Sequence, residues 1–103
     1  VLSFTAGAGV NDNDVVIQTN DVSMYREFSL QATAGAMDVL VSLDGTNYTT
    51  APLSLIDRGA TTSDPVIVTA ANRSYAFFGT FHKIKVLQNG ATAVANAALL
   101  CSK

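Results

Sequence analysis

Apolar and polar positions alternate most regularly in the last third of the chain. Residues 81–88 and 91–101 both alternate with a period of two, and Asn89-Gly90 stands between them. Asn-Gly between two such runs is typical of a type I′ β-hairpin, because both central residues of that turn need positive φ. The pattern therefore predicts a terminal hairpin in which these two runs pair with each other.

Two runs in the first half of the chain alternate in the same way. A period of two is typical of a strand that buries one face, so both runs are predicted to be strands. In residues 37–43 the predicted inward set is Met37, Val39, Val41 and Leu43, with Ser42 outward. In residues 24–33 the predicted inward set is Met24, Phe28, Leu30 and Ala32, and Arg26 interrupts it.

Shorter β-rich runs at 15–19, 53–56, 66–70 and 74–78 complete the pattern. The chain then has about eight short strands at spacings near ten residues, which is typical of a sandwich or a barrel. Alanine in the last run favours a helix, but β-branched residues and the preceding Asn-Gly favour a strand. We therefore predict an all-β, single-domain antiparallel β-sandwich, with a jelly roll and an immunoglobulin-like topology both open.

The start of the chain differs from the rest. Residues 1–14 contain two glycines and end in Asn11-Asp12-Asn13-Asp14, a cluster of turn-forming residues. This composition predicts an N-terminal arm over 1–14 and a β-sandwich domain over 15–103. No basic start followed by an apolar run is present in this segment, so no secretory signal is expected.

The composition adds a statement about the surface. Charged residues make up 14% of the 103 residues and the formal net charge is −2, whereas ordinary soluble domains have about 25% charged residues. Few charges on a surface favour association, so we expect other subunits to cover part of this one. A neutral, threonine-rich β domain is the alternative. The net charge provides no basic surface for nucleic acid, and no segment is long and apolar enough for a membrane span.

Candidate catalytic chemistry is sparse. His82 and Cys101 are the single histidine and the single cysteine, so one chain cannot assemble a His/Cys metal site or an internal disulfide. We expect a packed or rim histidine and a buried, inert thiol, and no enzyme, catalytic residue, cofactor or metal. Two alternatives stay open: calcium binding by the loop at 11–14, and a sugar-binding platform formed by Tyr48 and Tyr75.

Two segments carry a resemblance to a known group of proteins. Residues 38–48 read Asp-Val-Leu-Val-Ser-Leu-Asp-Gly-Thr-Asn-Tyr, and residues 78–91 contain an aromatic-Gly-x-Phe followed by x-Ile-Lys-Val-x-x-x-Gly. Both resemble segments of small β-rich virion proteins of tailed bacteriophages, and the size and composition are most like a capsid decoration (cement) protein. The likeness covers about half of the chain and reflects β architecture more than a particular function.

The resemblance implies a non-enzymatic protein that binds and stabilises the outer surface of a phage capsid. Its partners would be the major capsid protein and copies of itself, as a homotrimer or another homo-oligomer. Its place would be the virion surface, after synthesis in the cytoplasm of the bacterial host. The arm would order on binding and pair with a neighbour's strand edge. The alternatives are a tail, connector or fibre-adaptor component, a carbohydrate- or host-surface-binding module, and a cellular adhesion or pilus-like domain.

Overall fold

The computed structural model describes residues 2–5, 11–59 and 65–103. All regular secondary structure in these residues is β, as predicted, and within them no helix is long and apolar enough to cross a bilayer. The strands are β1 (Leu2–Thr5), β2 (Val15–Gln18), β3 (Glu27–Gln31), β4 (Met37–Ser42), β5 (Ile56–Asp57), β6 (Ser74–Phe78), β7 (Lys83–Gln88) and β8 (Ala98–Ser102).

The strands form two antiparallel sheets. One has five strands in the order β1-β8-β3-β6-β5, and the other has three in the order β2-β7-β4. The first strand therefore pairs with the last, the second with the seventh and the third with the sixth, which is the nested pairing of a jelly roll. The one departure is that β5 pairs with β6 instead of β4. Of the two predicted sandwich topologies, the structure is the jelly roll.

The free edge of β4 is covered by irregular backbone. Thr49 N donates to Val41 O at 2.9 Å and Leu53 N donates to Val39 O at 2.8 Å, so this segment runs along β4 without forming a regular strand. The Thr69 hydroxyl accepts a 3.0 Å hydrogen bond from the Met37 N–H at the start of the strand. The edge is thereby satisfied by the chain itself, and an exposed edge of this kind would otherwise invite pairing with another chain.

The core lies between the two sheets and takes alternate residues from each strand. In the five-stranded sheet the inward rows join Phe28 to Phe77 and Leu30 to Tyr75 across β3 and β6. The Phe28 and Phe77 rings stack with centroids 5.0 Å apart, and Phe81 tilts against both. On β4 the predicted inward residues Met37, Val39 and Val41 are buried, as are Phe28, Leu30 and Ala32 at β3.

The predicted terminal hairpin is wrong. Strand β7 pairs with β2 and β4, whereas β8 pairs with β1 and β3 in the other sheet, so residues 89–97 cross between sheets. Gly90 has φ +101°, but Asn89 is not among the non-glycine residues with positive φ, so a type I′ turn does not form. The physical reason is that both edges of β7 are already occupied, which leaves no edge for β8.

Two residues assigned to the core are exposed, and one assigned to the surface is buried. Leu43 is 75% exposed and Met24 is 62% exposed, while Ser42 is 1% exposed. Strand β4 ends at Ser42, because its hydroxyl donates to Asp44 Oδ1 and accepts from the Gly45 N–H. The alternation therefore stops one residue earlier than the sequence predicted. Met24 is exposed because β3, which was predicted to begin at residue 24, begins at Glu27.

The strands predicted at 53–56 and 66–70 are also largely wrong. In residues 53–59 and 65–70, the described part of this region, the structure has the two-residue β5 and an isolated bridge between Leu55 and Val66. Conversely, Leu2–Thr5 is strand β1 at the edge of the five-stranded sheet, which the sequence did not predict. The strand pairs with β8 of the same chain. The division of the chain at residue 14 stays a prediction, and residues 6–10 of the predicted arm lie outside the described residues.

Candidate interaction surfaces

The outward side of the five-stranded sheet is an apolar and serine-lined surface, which we call the five-strand outer face. Its central row runs across all five strands through Ser3, Leu100, Ser29, Ala76 and Ile56. The rows on either side add Glu27, Phe78 and Ser102, and Gln31, Ser74 and Ala98. Phe78 is 52% exposed and Leu100 is 43% exposed, so large apolar groups face outward beside small ones.

Charge is scarce on the five-strand outer face. Among the described outward positions of its strands, Glu27 is the one charged residue. Arg58, which directly follows β5, also borders this face. Both line a shallow groove of about 290 Å³ together with Ala76 and Phe78. In the described part of the chain neither side chain has an ion pair or hydrogen bond. The face therefore has one acid and one base, both unpaired, beside an apolar strip.

A second apolar surface lies at one end of the sandwich, which we call the His82 end. There the Val22 N–H donates to His82 O, and the His82 N–H donates to Ser42 O, both at 2.8 Å. These bonds hold together the loops that display Met24 and Leu43, the two most exposed large apolar residues described. The protein therefore exposes large apolar side chains in groups at two places, the five-strand outer face and the His82 end, while Val15 and Ile67 are exposed singly elsewhere.

The imidazole of His82 is packed at this end, as expected for a rim histidine. A Cβ added to Gly45, whose φ is +82°, would lie 2.7 Å from His82 Nδ1, so the ring rests directly on this glycine. His82 Nε2 lies 3.8 Å from Asp21 Oδ2, which is too long for a hydrogen bond. Nδ1 is buried with no hydrogen-bond partner among the described atoms. Among the described residues no serine or cysteine side chain is hydrogen-bonded to the ring.

The outward side of the three-stranded sheet, which we call the three-strand outer face, carries more charge, with Asp38, Lys83 and Lys85 among its outward positions. Its rows join Val15, Leu87 and Asp38, and then Gln18, Lys85 and Leu40. The Tyr48 ring lies over this face, with Lys85 Nζ 4.2 Å from its centroid and Gln18 Nε2 3.5 Å from its hydroxyl oxygen. The chain thus covers part of this face with its own loop.

The proposed tyrosine platform does not form as a pair. Tyr75 is 2% exposed, and its hydroxyl accepts a 2.8 Å hydrogen bond from the Ala70 N–H, so its assignment to the surface is wrong. Burial against Leu30 and Leu99 follows from its inward register in β6. Tyr48 is half-buried, and Lys85 occupies one side of its ring.

The carboxylates at the turns act within the chain. Asp44 accepts hydrogen bonds from the Thr46 and Asn47 N–H groups, and these bonds hold the pKa of its carboxyl well below the ordinary range. Asp12 Oδ1 accepts from the Gly90 N–H at 2.8 Å, and Asp14 Oδ2 accepts from the Asn11 N–H. Within residues 2–5, 11–59 and 65–103, no three metal-ligating side chains converge. These contacts give the loop at 11–14 a structural role, which is to tie the β7–β8 crossover to the first turn.

Cys101 is buried in the core, as predicted. Its side chain lies on the inward row with Leu2 and Phe28, and burial raises the pKa of its thiol to about 11. A thiol with so high a pKa is almost entirely protonated at neutral pH, and the thiolate is the reactive form. The prediction that this thiol is buried is therefore confirmed.

The exposed apolar residues differ in how far the sequence indicates them. Phe77-Phe78 and Leu99-Leu100 are adjacent pairs, and adjacent residues in a strand point to opposite faces. One member of each pair must face outward, which is a signal that the sequence did contain. Leu43 carried no such signal, since its exposure follows from the hydrogen bonds that end β4 at Ser42.

Comparisons with known proteins give a single kind of information, the fold. The crystal structure of the SPBc2 prophage-derived protein YomS matches this chain with a TM-score of 0.67 and 15% sequence identity, over 98% of this chain and 92% of that chain. No protein-family model and no curated protein matches the sequence. The chain therefore shares its whole two-sheet fold with a prophage-derived protein.

Proposed function

We propose that this chain is a non-enzymatic structural protein of a bacteriophage virion that binds and stabilises the outer surface of the capsid. The observation that carries the proposal is the exposure of large apolar side chains at two separate places, the five-strand outer face and the His82 end. Exposed apolar patches on soluble domains mark interaction sites. Two such patches suit a subunit that contacts both its own copies and the shell.

The fold and the composition support the same assignment. The fold is shared with a prophage-derived protein, and the sequence resembles small virion proteins of tailed phages. A charged fraction of 14% keeps the cost of desolvating charges low when surfaces are covered. Many modest contacts repeated over a shell combine into strong attachment, so no deep pocket or catalytic group is needed for this role.

Within this proposal the shell contact is the His82 end. Leu43 and Met24 project from loops there, and loops at the end of a sandwich can enter depressions on a capsid more readily than a flat sheet. The major capsid protein is the partner, and the location is the virion surface after synthesis in the host cytoplasm. Another virion part, such as a tail or connector component, is the runner-up, because the fold comparison favours both equally.

The copy number per particle separates these roles. Quantitative mass spectrometry of purified virions should give a copy number of the same order as that of the major shell protein. A copy number far below that would place the protein in the tail or connector and contradict the decoration role. Absence from the particle would contradict both virion roles and favour a free carbohydrate- or host-surface-binding module.

A binding experiment tests the proposed contact surface. Leu43→Ser combined with Met24→Ser should weaken binding to purified shells by about tenfold or more, since two exposed apolar groups are removed from the contact. Ile67→Ser is the matched control, because Ile67 is 51% exposed and lies on neither surface. Equal loss in the control and the double variant would contradict the assignment of the His82 end.

A further inference from the structure

We propose that the five-strand outer face binds a second copy of this chain about a twofold axis, with Glu27 of each copy against Arg58 of the other. This inference specifies the contact between copies that the proposed function includes, and because it concerns the free protein it does not require a shell. It assigns the five-strand outer face to self-association.

The charges of this face are complementary to each other. Glu27 and Arg58 line the same groove, and neither has an ion pair or hydrogen bond within the part of the chain that the structure describes. A twofold interface brings the same surface of both copies together, so a residue pair contacts its counterpart twice. An acid and a base on one face, unpaired within the copy, are the arrangement that such an interface can pair across copies.

The shape of the face suits a second sheet. The positions between the large apolar groups are small: Ser3, Ser29, Ser74, Ser102, Ala76 and Ala98. Small side chains leave room for the projecting rings of a facing sheet, and sheets pack face to face at about 10 Å. Phe78, 52% exposed beside the groove, would be the central apolar anchor, as aromatic residues often are in interfaces.

A different kind of partner fits this face less well. A nucleic acid or an anionic lipid surface would need several free cations, and of the two cations that line the described grooves on this face, Arg58 and Arg73, Arg73 is already paired with Asp57. A small ligand would need a concave site with converging polar groups, whereas this face is an open sheet surface. A second copy provides an arginine for Glu27 and a glutamate for Arg58, so that both charges are paired.

The test is analytical ultracentrifugation of the full chain, without shells, from about 1 µM to about 1 mM. The wild type should reach twice the monomer mass within this range. Glu27→Arg or Arg58→Glu alone should raise the dissociation constant by about tenfold or more, because each places two like-charged pairs in the interface. The double variant Glu27→Arg with Arg58→Glu should restore it to within about threefold, since the pairs are reversed.

Two further variants separate association from folding. Phe78→Ser should abolish dimerisation at these concentrations, and Ile67→Ser, which removes a similarly exposed apolar group elsewhere, should not. Thermal melting of all variants as monomers checks that each folds. A monomeric wild type, a trimer, or charge reversals that fail to rescue one another would overturn the proposal. Because shells are absent, such a result leaves the proposed capsid role standing, and a failed shell-binding experiment leaves the dimer standing.

Discussion

The two outer faces of this sandwich are built in opposite ways. On the three-strand outer face the outward positions include Asp38, Lys83 and Lys85, and the Tyr48 ring lies against Lys85. On the five-strand outer face the outward strand positions among the described residues carry one charge, Glu27. Both sheets bury the same core on their inner sides, so the core does not account for the difference.

The contrast indicates which surface is complete in the free chain. Where the chain provides its own cover, polar side chains are satisfied by local contacts such as that between Lys85 and Tyr48. The five-strand outer face leaves three large apolar residues exposed, Phe78, Leu100 and Ile56, whereas the three-strand outer face leaves one, Val15. Substitutions on the three-strand outer face should therefore change stability, and those on the five-strand outer face should change association.

The largest expected effect comes from two adjacent phenylalanines on β6. Phe77 is 2% exposed and stacks on Phe28, whereas Phe78 is 52% exposed on the five-strand outer face. Phe77→Ala should lower the free energy of unfolding by about 3–5 kcal/mol, because it leaves a cavity between the sheets. Phe78→Ala should change it by no more than about 0.5 kcal/mol when measured on the monomer.

Urea denaturation of both variants at low concentration measures the difference. The two substitutions are chemically identical and one residue apart, so each controls for the other. Comparable losses in the two variants would show that Phe78 is part of the core, and the distinction between an inner side and an uncovered outer face would then fail.

A smaller effect is expected where one buried polar residue connects β7 to the crossover that follows it. Gln88 at the end of β7 is fully buried, accepts a 3.3 Å hydrogen bond from the Val94 N–H, and donates to Gly90 O at 2.9 Å. Gln88→Leu leaves these buried backbone groups unpaired and should cost about 1–3 kcal/mol. The matched variant Gln31→Leu, on the five-strand outer face and exposed, should cost far less in the same urea titration.

The sequence predicted the class of fold and five of the strands well. Alternation located β2, β3, β4, β6 and β7 to within a few residues, because period-two burial is a local property of each strand. Strand β1 has too short a pattern to stand out, and its strand character depends on pairing with β8. The adjacent pairs Phe77-Phe78 and Leu99-Leu100 do indicate outward apolar residues, whereas the exposure of Leu43 depends on where β4 ends, and a linear pattern does not contain that information.

The wrong hairpin illustrates this limit most clearly. Asn89-Gly90 is flanked by strand-like runs, yet its backbone bonds to other parts of the chain. The Gln88 side chain donates to Gly90 O, and the Gly90 N–H donates to the Asp12 carboxylate. Local sequence favours the hairpin, but it does not form because β7 pairs with β2 and β4 instead. Strand pairing depends on which edges are free in the whole fold.

The next prediction tests whether the contact between Lys85 and Tyr48 on the three-strand outer face stabilises the fold. Lys85→Ala removes the ammonium group from the Tyr48 ring, and should lower the free energy of unfolding by about 0.5–1 kcal/mol. Lys83→Ala, on the same strand but with no contact to an aromatic ring among the described residues, is the control for loss of charge. If both variants unfold at the same urea concentration, the cation–π contact adds nothing and Tyr48 is a passive cover.

The smallest effect should come from Asp44, whose turn lies at the His82 end and outside both outer faces. The N–H groups of Asn47 and Thr46 hydrogen-bond its carboxylate and lower its pKa from the ordinary 3.8. A carboxyl group whose folded pKa is depressed stabilises the fold above its unfolded pKa, and this contribution disappears as the pH falls through the folded value. Asp44→Asn should therefore lower the melting temperature at neutral pH, with the gap to wild type closing below 3.8. Melting curves between about pH 7 and about pH 2 follow the gap, and a gap that stays constant over this range would mean that the charge of Asp44 does not stabilise the turn.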